Sequence, residues 1–210
     1  MKWLSAPALT LCIVLAGCGN TATPPLKVLG EKVVHHYTVG GKVVNDTISS
    51  TIPPFKFLDQ YGHQIDTSTI SGKIYVVDFF FTHCPGICPK MKAEMLRVHD
   101  RFRDKDIMYL SHSIDPERDS FPVLKSYSEK LNLTDRKWLF LTGDRDSIYS
   151  IADRYLAYAK EDKDAPGGFV HDGNFILIDK QRRIRGYYDG TTDIGTDKLI
   201  ADMEKLLDEK

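Results

Sequence analysis

The sequence predicts an α/β domain with a mostly parallel central sheet, an antiparallel edge and flanking helices. Apolar runs of strand length alternate along the chain with segments whose apolar residues recur at helical spacing, a pattern typical of parallel sheets. Near the C-terminus, residues 175–178 and 184–188 form two such runs separated by a tight polar turn, which predicts the antiparallel edge. The predicted element order is therefore β-α-β-α-β-α-β-β-α.

Two β-hairpins are predicted on the N-terminal side of this core. Gly40-Gly41 lies between two β-rich runs within residues 33–48, which is the pattern of a hairpin turn. Phe55 and Phe57 alternate with polar residues, and residues 60–63 form a turn that leads to the next run. We therefore expect both hairpins as additions to the central sheet.

The first core strand is predicted at residues 74–81, where the sequence is almost continuously apolar and aromatic. A strand of this composition is covered on both faces of its sheet. Asp78 interrupts the run, and a carboxylate there requires a buried partner that the sequence does not identify. After Pro89, apolar residues at helical spacing predict a helix that packs back onto the sheet.

The remaining core elements follow from the same two periodicities. They are a strand at 107–114, a helix around Leu124 and Leu131, a strand at 138–141, a helix from Asp144 to about Tyr158, the two edge strands, and a last helix capped by Thr196 or Asp197.

The composition excludes two classes of function. The chain has 210 residues, with 28 Lys+Arg against 29 Asp+Glu and 42% hydrophobic residues, values typical of one globular domain. A nearly neutral chain without a cluster of cations does not neutralise a phosphate backbone, so we expect no nucleic-acid partner. Beyond the first residues, charges interrupt the sequence every few positions, which excludes a protein with several membrane spans.

The N-terminus predicts export. Lys2 precedes an apolar core at residues 3–14, and Leu15-Ala16-Gly17-Cys18 has the pattern of a bacterial lipobox, which implies cleavage before Cys18 and a lipid on its thiol. We expect a signal peptide at residues 1–17, a membrane tether at 18–32 and the folded domain at 33–210. An uncleaved anchor helix and an ordinary signal peptide are the alternatives. A lipid or an anchor helix holds the domain at a membrane, in the cell envelope, facing the periplasm or the exterior.

The cysteines point to redox chemistry or metal binding. Cys12 leaves with the signal peptide and Cys18 carries the lipid, so the folded domain keeps Cys84 and Cys88. A disulfide across so short a loop constrains the unfolded chain very little. The pair lies where the first core strand meets its helix, with Cys88 as the predicted cap, and active groups of α/β proteins gather at that end of the strands.

A metal held by the two cysteines needs a further ligand. Of the seven histidines, His171 stands out because Pro166-Gly167-Gly168 predict a flexible loop before it and the strand at 175–178 follows it. From position alone, an ordinary surface histidine remains the alternative. Asp115 and Asp119 are expected to cap a turn and the following helix, with hydrogen bonding near the cysteines as their alternative role.

Three motifs together resemble one known family. Residues 79–89 (Phe-Phe-Phe-Thr-His-Cys-Pro-Gly-Ile-Cys-Pro), residues 113–119 (Ser-Ile-Asp-Pro-Glu-Arg-Asp), and His171 before the strand at 175–178 are similar to the Sco (SenC) family of membrane-tethered, thioredoxin-like copper proteins. The resemblance covers roughly residues 52–208.

The resemblance implies a thioredoxin-like fold and a copper site formed by Cys84, Cys88 and His171. It also implies that the protein delivers copper to, or reduces the cysteines of, the binuclear copper centre of a respiratory cytochrome c oxidase. The partner is then the copper-bearing subunit of that oxidase or another copper protein. Two thiolates and an imidazole suit copper, whereas structural zinc normally takes four protein ligands.

Other functions of the cysteine pair remain open. Cys84 and Cys88 are equally the redox pair of a thiol-disulfide oxidoreductase, which is an enzyme, or the switch of an envelope redox sensor. The Cys-x-x-x-Cys spacing, and Asp172-Gly173 where such oxidoreductases usually carry a cis-proline, favour metal binding. A peroxidase ranks third, because Thr82 stands too close to Cys84 for the Pro-x-x-x-Thr-x-x-Cys motif.

Overall fold

The computed structural model describes residues 24–133 and 135–209, so the predicted signal peptide, Cys12 and Cys18 lie outside the described residues. The described strands are β1 (Lys32–Val39), β2 (Lys42–Ser49), β3 (Lys56–Leu58), β4 (Gln64–Asp66), β5 (Ile74–Phe80), β6 (Ile107–Ser113), β7 (Trp138–Leu141), β8 (Ala159–Glu161), β9 (Phe169–His171), β10 (Asn174–Ile178) and β11 (Ile184–Asp189). The helices in the same residues are α1 (Cys88–Arg101), α2 (Phe121–Lys130), α3 (Arg145–Arg154) and α4 (Asp193–Asp208), with a 3₁₀ turn at Pro166–Gly168.

Five strands form the central sheet, in the order β11-β10-β5-β6-β7. β5, β6 and β7 pair in parallel, whereas β10 pairs antiparallel with β5 and β11 antiparallel with β10. All residues of β5 and β6 are buried, as expected of strands covered on both faces. The predicted α/β class and its antiparallel edge are confirmed, although parallel and antiparallel pairings are equally numerous in this sheet.

The helices cover both faces of the sheet. α1 and α4 lie side by side, where Arg97 and Arg101 of α1 form ion pairs with Asp197 and Glu204 of α4. Tyr155, at the end of α3, packs instead against Phe79 and His112. Because successive residues of a strand point to opposite faces, Asp78 faces α1 while Phe79 faces α3.

Three helix boundaries differ from the prediction. α1 begins at Cys88 with Ile87 as its N-cap, one residue earlier than expected. α3 ends at Arg154 rather than near Tyr158, because Leu156 turns the chain with a φ of 54°. α4 begins at Asp193, where the Thr192 hydroxyl accepts a hydrogen bond from the Gly195 backbone N–H at 3.2 Å, so neither Thr196 nor Asp197 is the cap.

The segment before His171 is also different. β8 and β9 pair as a short antiparallel hairpin, with Ala159 opposite His171, where the sequence predicts a flexible loop. Gly167 lies in the connection with a φ of 84°, and a Cβ there would lie 2.7 Å from a ring carbon of Phe81. The hairpin therefore packs closely against the segment that carries the cysteines.

The N-terminal additions are present. β1 pairs with β2 and β3 with β4, which confirms both predicted hairpins. Ahead of them, Leu29 bridges to Ile184 at the start of β11, and Arg185 donates hydrogen bonds to the carbonyl oxygens of Leu26 and Lys27. Within the described ranges, no helix combines the length and apolar character needed to cross a membrane.

Candidate metal centre

Cys84 and Cys88 lie at the junction between β5 and α1, and both are free thiols. Cys84 is partly exposed in the loop, and its backbone N–H donates to the carbonyl of Phe81 at 3.3 Å. Cys88 is the first residue of α1 and only 1% exposed. Cys84 is thus the more exposed of the two cysteines, and Cys88 belongs to the buried core.

Asp119 fastens the start of this loop. Its buried carboxylate accepts hydrogen bonds from the backbone N–H and the hydroxyl of Thr82, at 3.0 and 2.6 Å, and from the hydroxyl of Ser113 at 2.6 Å. The N-cap of α2 is Ser120, so the expected role of Asp119 as a helix cap is wrong. Asp119 instead joins the cysteine loop to the end of β6, which is its alternative role.

Asp115 and His83 form the rim of the loop. The chain turns after Asp115, whose backbone carbonyl accepts hydrogen bonds from the N–H groups of Arg118 and Asp119. His83 lies 3.5 Å from the Asp115 carboxylate and 2.6 Å from the Arg118 guanidinium. Burial raises the pKa of Asp115, and the neighbouring Asp119 carboxylate raises it further. The polar contacts of His83 are thus with Asp115 and Arg118 at the edge of the loop.

His171 reaches the two sulfurs from β9. Its Nε2 atom lies 3.2 Å from the Sγ of Cys88, and its Nδ1 atom lies 2.8 Å from the carbonyl oxygen of Asp172. The hydrogen bond from Nδ1 to that carbonyl directs Nε2 at the sulfurs. Nε2 hydrogen-bonds to sulfur in the metal-free site and offers its lone pair to a metal when one binds. His171 is 8% exposed, so it is not an ordinary surface histidine.

The three predicted ligands therefore come together. The Sγ atoms of Cys84 and Cys88 and a ring nitrogen of His171 all lie within 4.8 Å of one another, and residues 24–133 and 135–209 contain no other such group of three or more His, Cys, Asp or Glu. Metal bonds to sulfur and nitrogen are about 2.0–2.3 Å long, so small side-chain shifts bring all three atoms to one ion. The donor set of two soft thiolates and one imidazole fits copper.

The two thiols differ in acidity. Burial raises the pKa of Cys84, but hydrogen bonds from His171, Cys88 and nearby backbone N–H groups outweigh this effect and lower it to about 6. Burial and the adjacent Cys84 raise the pKa of Cys88 well above its usual value. At neutral pH, the metal-free pair thus shares one negative charge, held mainly on Cys84.

The buried partner of Asp78 is Lys92, on α1. The two side chains form an ion pair, and they are 0% and 2% exposed. Sequence reasoning missed Lys92, although it stands four positions after Cys88 among the apolar positions of the helix, where a lysine is unusual. A lysine among the apolar positions of α1 is the sequence signal that could have identified the buried partner of Asp78.

Comparisons with known proteins show which family this chain resembles. A family model described as SCO1/SenC matches residues 45–208. The solved structure of a SCO1/SenC family lipoprotein from Bacillus anthracis is 27% identical, with a TM-score of 0.69, over 75% of this chain and 95% of that one. BsSco, described as a member of the Sco family of cytochrome c oxidase assembly proteins with a disulfide switch, is also 27% identical, with a TM-score of 0.67, over 76% and 95% of the two chains.

A copper-bound structure is also similar to this chain. ScoI from Bradyrhizobium japonicum, solved with copper bound, is 26% identical and has a TM-score of 0.60, over 75% of this chain and 99% of that one. These similarities confirm the thioredoxin-like fold that the sequence motifs imply.

Proposed function

Because the chain belongs to the SCO1/SenC family, we propose that it binds copper through Cys84, Cys88 and His171 and assists assembly of the copper centre of a respiratory cytochrome c oxidase. The observation that carries the proposal is the approach of the three ligand atoms to within 4.8 Å. The copper-bound ScoI structure and the description of BsSco as an oxidase assembly protein support it.

Each ligand has a distinct part in holding and releasing copper. Cys88 and His171 are buried and held by α1 and by the Asp172 carbonyl, so they form the fixed side of the site. Cys84 is partly exposed, so a ligand of the partner protein displaces it first when copper is passed on. When bound, copper supplies a soft cation that two thiolates and an imidazole accommodate as Cu(I) or Cu(II).

The same pair can reduce a partner instead of loading it. The Cys84 thiolate attacks a disulfide sulfur of the partner, whose other sulfur leaves as a thiolate, and Cys88 then attacks Cys84 to close the Cys84–Cys88 disulfide. Two electrons pass to the partner in total. Its second sulfur is released in this step, and the one proton of the pair, from the Cys88 thiol, ends on a released sulfur. The disulfide switch described for BsSco supports this second part of the role.

Attachment at Cys18 places this chemistry in the cell envelope. The Leu15-Ala16-Gly17-Cys18 pattern and the similarity to a SCO1/SenC family lipoprotein support a lipid on Cys18 and a signal peptide at residues 1–17. The tether proposed at 18–32 meets the folded domain from Leu26 onwards. The domain at 33–210 then meets the copper-bearing subunit of the oxidase, or another copper protein, on the periplasmic or outer side of a membrane.

An anaerobic copper titration tests the proposed ligands. The full chain is purified in detergent with Cys12→Ser and Cys18→Ser, which leaves Cys84 and Cys88 as its cysteines. We expect one Cu(I) per chain, with at least tenfold weaker binding in each of Cys84→Ser, Cys88→Ser and His171→Ala. His36→Ala is the control, because this exposed histidine lies in the β1–β2 hairpin. Binding that His171→Ala leaves unchanged would rule out the three-ligand site.

A thiol-disulfide oxidoreductase is the second candidate, favoured by the lowered pKa of the partly exposed Cys84. Its test is the rate at which the His171→Ala chain reduces a peptide disulfide. An oxidoreductase keeps this activity without copper binding, and His171 is then only a supporting residue. If the wild-type chain binds copper tightly and reduces the peptide no faster than free dithiothreitol, copper handling is its function.

A further inference from the structure

Lys92 and Asp78 form a buried polar network that the copper ligands do not use. The Lys92 ammonium forms an ion pair with Asp78 and donates a hydrogen bond to the hydroxyl of Ser111 at 2.9 Å. Ser111 in turn donates to Asp78 at 2.5 Å and accepts from the indole N–H of Trp138 at 2.9 Å. The ammonium also lies 4.2 Å from the ring centroid of Phe80. Every polar atom of the pair therefore has a partner.

Stability alone does not account for this pair. Removing two charges from water costs several kcal/mol per ion, and well-packed apolar side chains in place of a buried ion pair are often neutral or stabilising. The surrounding Phe80, Trp138 and Phe140 would accommodate apolar side chains. A different contribution is thus needed to explain why the position holds a lysine.

Lys92 and the two cysteines border the same cavity. Lys92 follows Cys88 by one turn of α1, and residues four apart lie on the same face of a helix. Lys92, Cys84 and Cys88 together line one open cavity of about 330 Å³, whose walls are mostly apolar. Asp78 lies behind the ammonium on β5, hydrogen-bonded to Ser111 of the neighbouring strand.

We propose that Lys92 is an electrostatic positioning residue whose ammonium stabilises negative charge on the Cys84–Cys88 sulfur pair, and so strengthens Cu(I) binding and favours the dithiol over the disulfide. Two thiolates around one Cu(I) carry a net charge of −1, and thiol-disulfide exchange that opens a disulfide releases its leaving sulfur as a thiolate. Charges interact more strongly away from bulk water, so a buried ammonium beside the cavity acts on both states. The copper part of this inference rests on the proposed function, whereas the disulfide part does not.

Two measurements on the Cys12→Ser/Cys18→Ser full chain in detergent test the proposal. The first is Cu(I) affinity, by competition with a coloured Cu(I) chelator. The second is the equilibrium with dithiothreitol, in which the reagent's two thiols become a cyclic disulfide and pass two electrons to the Cys84–Cys88 disulfide. The reagent's two protons pass to the released sulfurs or to solvent. The second measurement needs no metal, so it tests Lys92 even if the chain binds no copper.

The main variant is Lys92→Met/Asp78→Asn, which removes both charges and leaves no buried ion unpaired. We expect about tenfold weaker Cu(I) binding, and about tenfold greater stability of its disulfide, or about 30 mV. Lys92→Arg keeps the charge and should restore both values to within threefold. Lys90→Met is the matched control, since it removes an exposed lysine of the same helix, and both values should stay within twofold.

Asp78→Asn gives an opposite expectation that does not depend on the double variant folding. It removes only the negative end of the pair, so Cu(I) binding should tighten and the dithiol should gain stability. Circular dichroism establishes that each variant is folded. The proposal is overturned if the folded double variant stays within twofold of the parent in both measurements, or if Asp78→Asn weakens Cu(I) binding.

Discussion

Individual side chains set the chemistry of the sulfur pair. The carbonyl of Asp172 directs the Nε2 atom of His171 at the sulfurs, and hydrogen bonds from His171 and Cys88 make Cys84 the more acidic thiol. Cys88, a few residues away, is buried and stays protonated. The two cysteines of one short loop are therefore chemically distinct before any metal binds.

The first prediction concerns the reactivity of Cys84 towards iodoacetamide. The thiolate is the reacting form, so the alkylation rate of Cys84 should rise with pH and reach half its maximum near pH 6. Cys88 should stay unmodified below about pH 9. Mass spectrometry of metal-free, reduced protein measures both rates. In His171→Ala the midpoint of Cys84 should move to higher pH, and an unchanged midpoint would show that His171 does not act on this thiol.

His112 gives the second prediction, on stability against pH. Its ring is 0% exposed among aromatic side chains, both nitrogens lack hydrogen-bond partners, and burial lowers its pKa to about 3. The unfolded chain takes up this proton near pH 6.5, whereas the folded chain does not until about pH 3. The stabilisation is thus complete above pH 6.5 and is lost as the pH falls towards 3, by up to about 1.4 kcal/mol per pH unit.

Urea unfolding at pH 7, 6 and 5 checks this slope. The control is His112→Met, an apolar side chain that does not titrate at the same position. From pH 6 to pH 5, the unfolding free energy of the parent chain should fall by about 1 kcal/mol or more beyond any fall in the variant. Parallel pH profiles would mean that His112 does not titrate in this way.

Among the elements, the β8–β9 hairpin brings the distant ligand to the cysteines. Its connecting turn is pressed against the aromatic ring of Phe81, and Gly167 occupies the contact with a positive φ. Gly168, the next residue, also has a positive φ of 86°, but a Cβ there meets no atom within 4 Å. Both glycines therefore have a positive φ, but only Gly167 lies against a neighbouring side chain.

The third prediction uses this pair of glycines. Gly167→Ala should move the hairpin away from Phe81, weaken Cu(I) binding about tenfold or more, and destabilise the fold by roughly 1–3 kcal/mol. Gly168→Ala carries the backbone strain alone, so it should be less destabilising and leave Cu(I) binding nearly unchanged. Chelator competition and thermal unfolding of both variants provide the comparison. Equal loss of Cu(I) affinity in the two would show that the close approach of Gly167 does not matter.

The sequence predicts elements well where one periodicity extends over many residues. The apolar run around β5 and the helical spacing of Met91, Met95 and Val98 predict their elements correctly. The start of α4 is missed because its first turn shows no apolar face: Ile194 is exposed and Gly195 has no side chain. The apolar face begins only at Leu199. β8 and β9 are three residues each, which is too short for a periodic pattern to show.

Local sequence patterns also predict only part of the candidate site, because some of its residues are far apart in the sequence. Cys84 and Cys88 are identified by their spacing alone, because both lie in one loop. His171 lies 83 residues from Cys88; its position before a strand draws attention to it, but only the family motif assigns it as a ligand. Lys92 and Asp78 are each visible as a charge in an apolar pattern, but their pairing depends on how α1 lies across β5 and β6, which no local pattern records.

In the molecule as a whole, the N-terminal segment is fastened to the edge of the sheet. Arg185 is 6% exposed, and its guanidinium donates to the carbonyl of Leu26, to Asp179 and to Glu209 at the end of α4. One side chain thus ties together the segment before β1, the β10–β11 turn and the C-terminal end of the last helix.

The fourth prediction follows from this contact. Arg185→Met should destabilise the fold by roughly 3 kcal/mol, because Asp179 and Glu209 lose a buried partner, and should release residues 26–29. Urea unfolding measures the first effect, and the rate of trypsin cleavage at Lys27 measures the second. Arg183→Met is the control: Arg183 also pairs with Asp179 but is more exposed, so the change should cost under about 1 kcal/mol and leave cleavage slow. Equal cleavage rates in both variants would contradict the proposed fastening.

The bridge between Leu29 and Ile184 also determines which way the domain faces. Ile184 lies opposite Ile178, which pairs with Tyr75 near the start of β5, whereas Cys84 follows the other end of that strand. With a lipid on Cys18, the chain up to Leu26 reaches about 28 Å at most. A short linker then attaches the domain at the end of the sheet where β5 starts. The sulfurs lie at the opposite end, further from the membrane by about the length of β5 (~23 Å). Copper would be transferred at the end of the domain that lies opposite the point of attachment to the membrane.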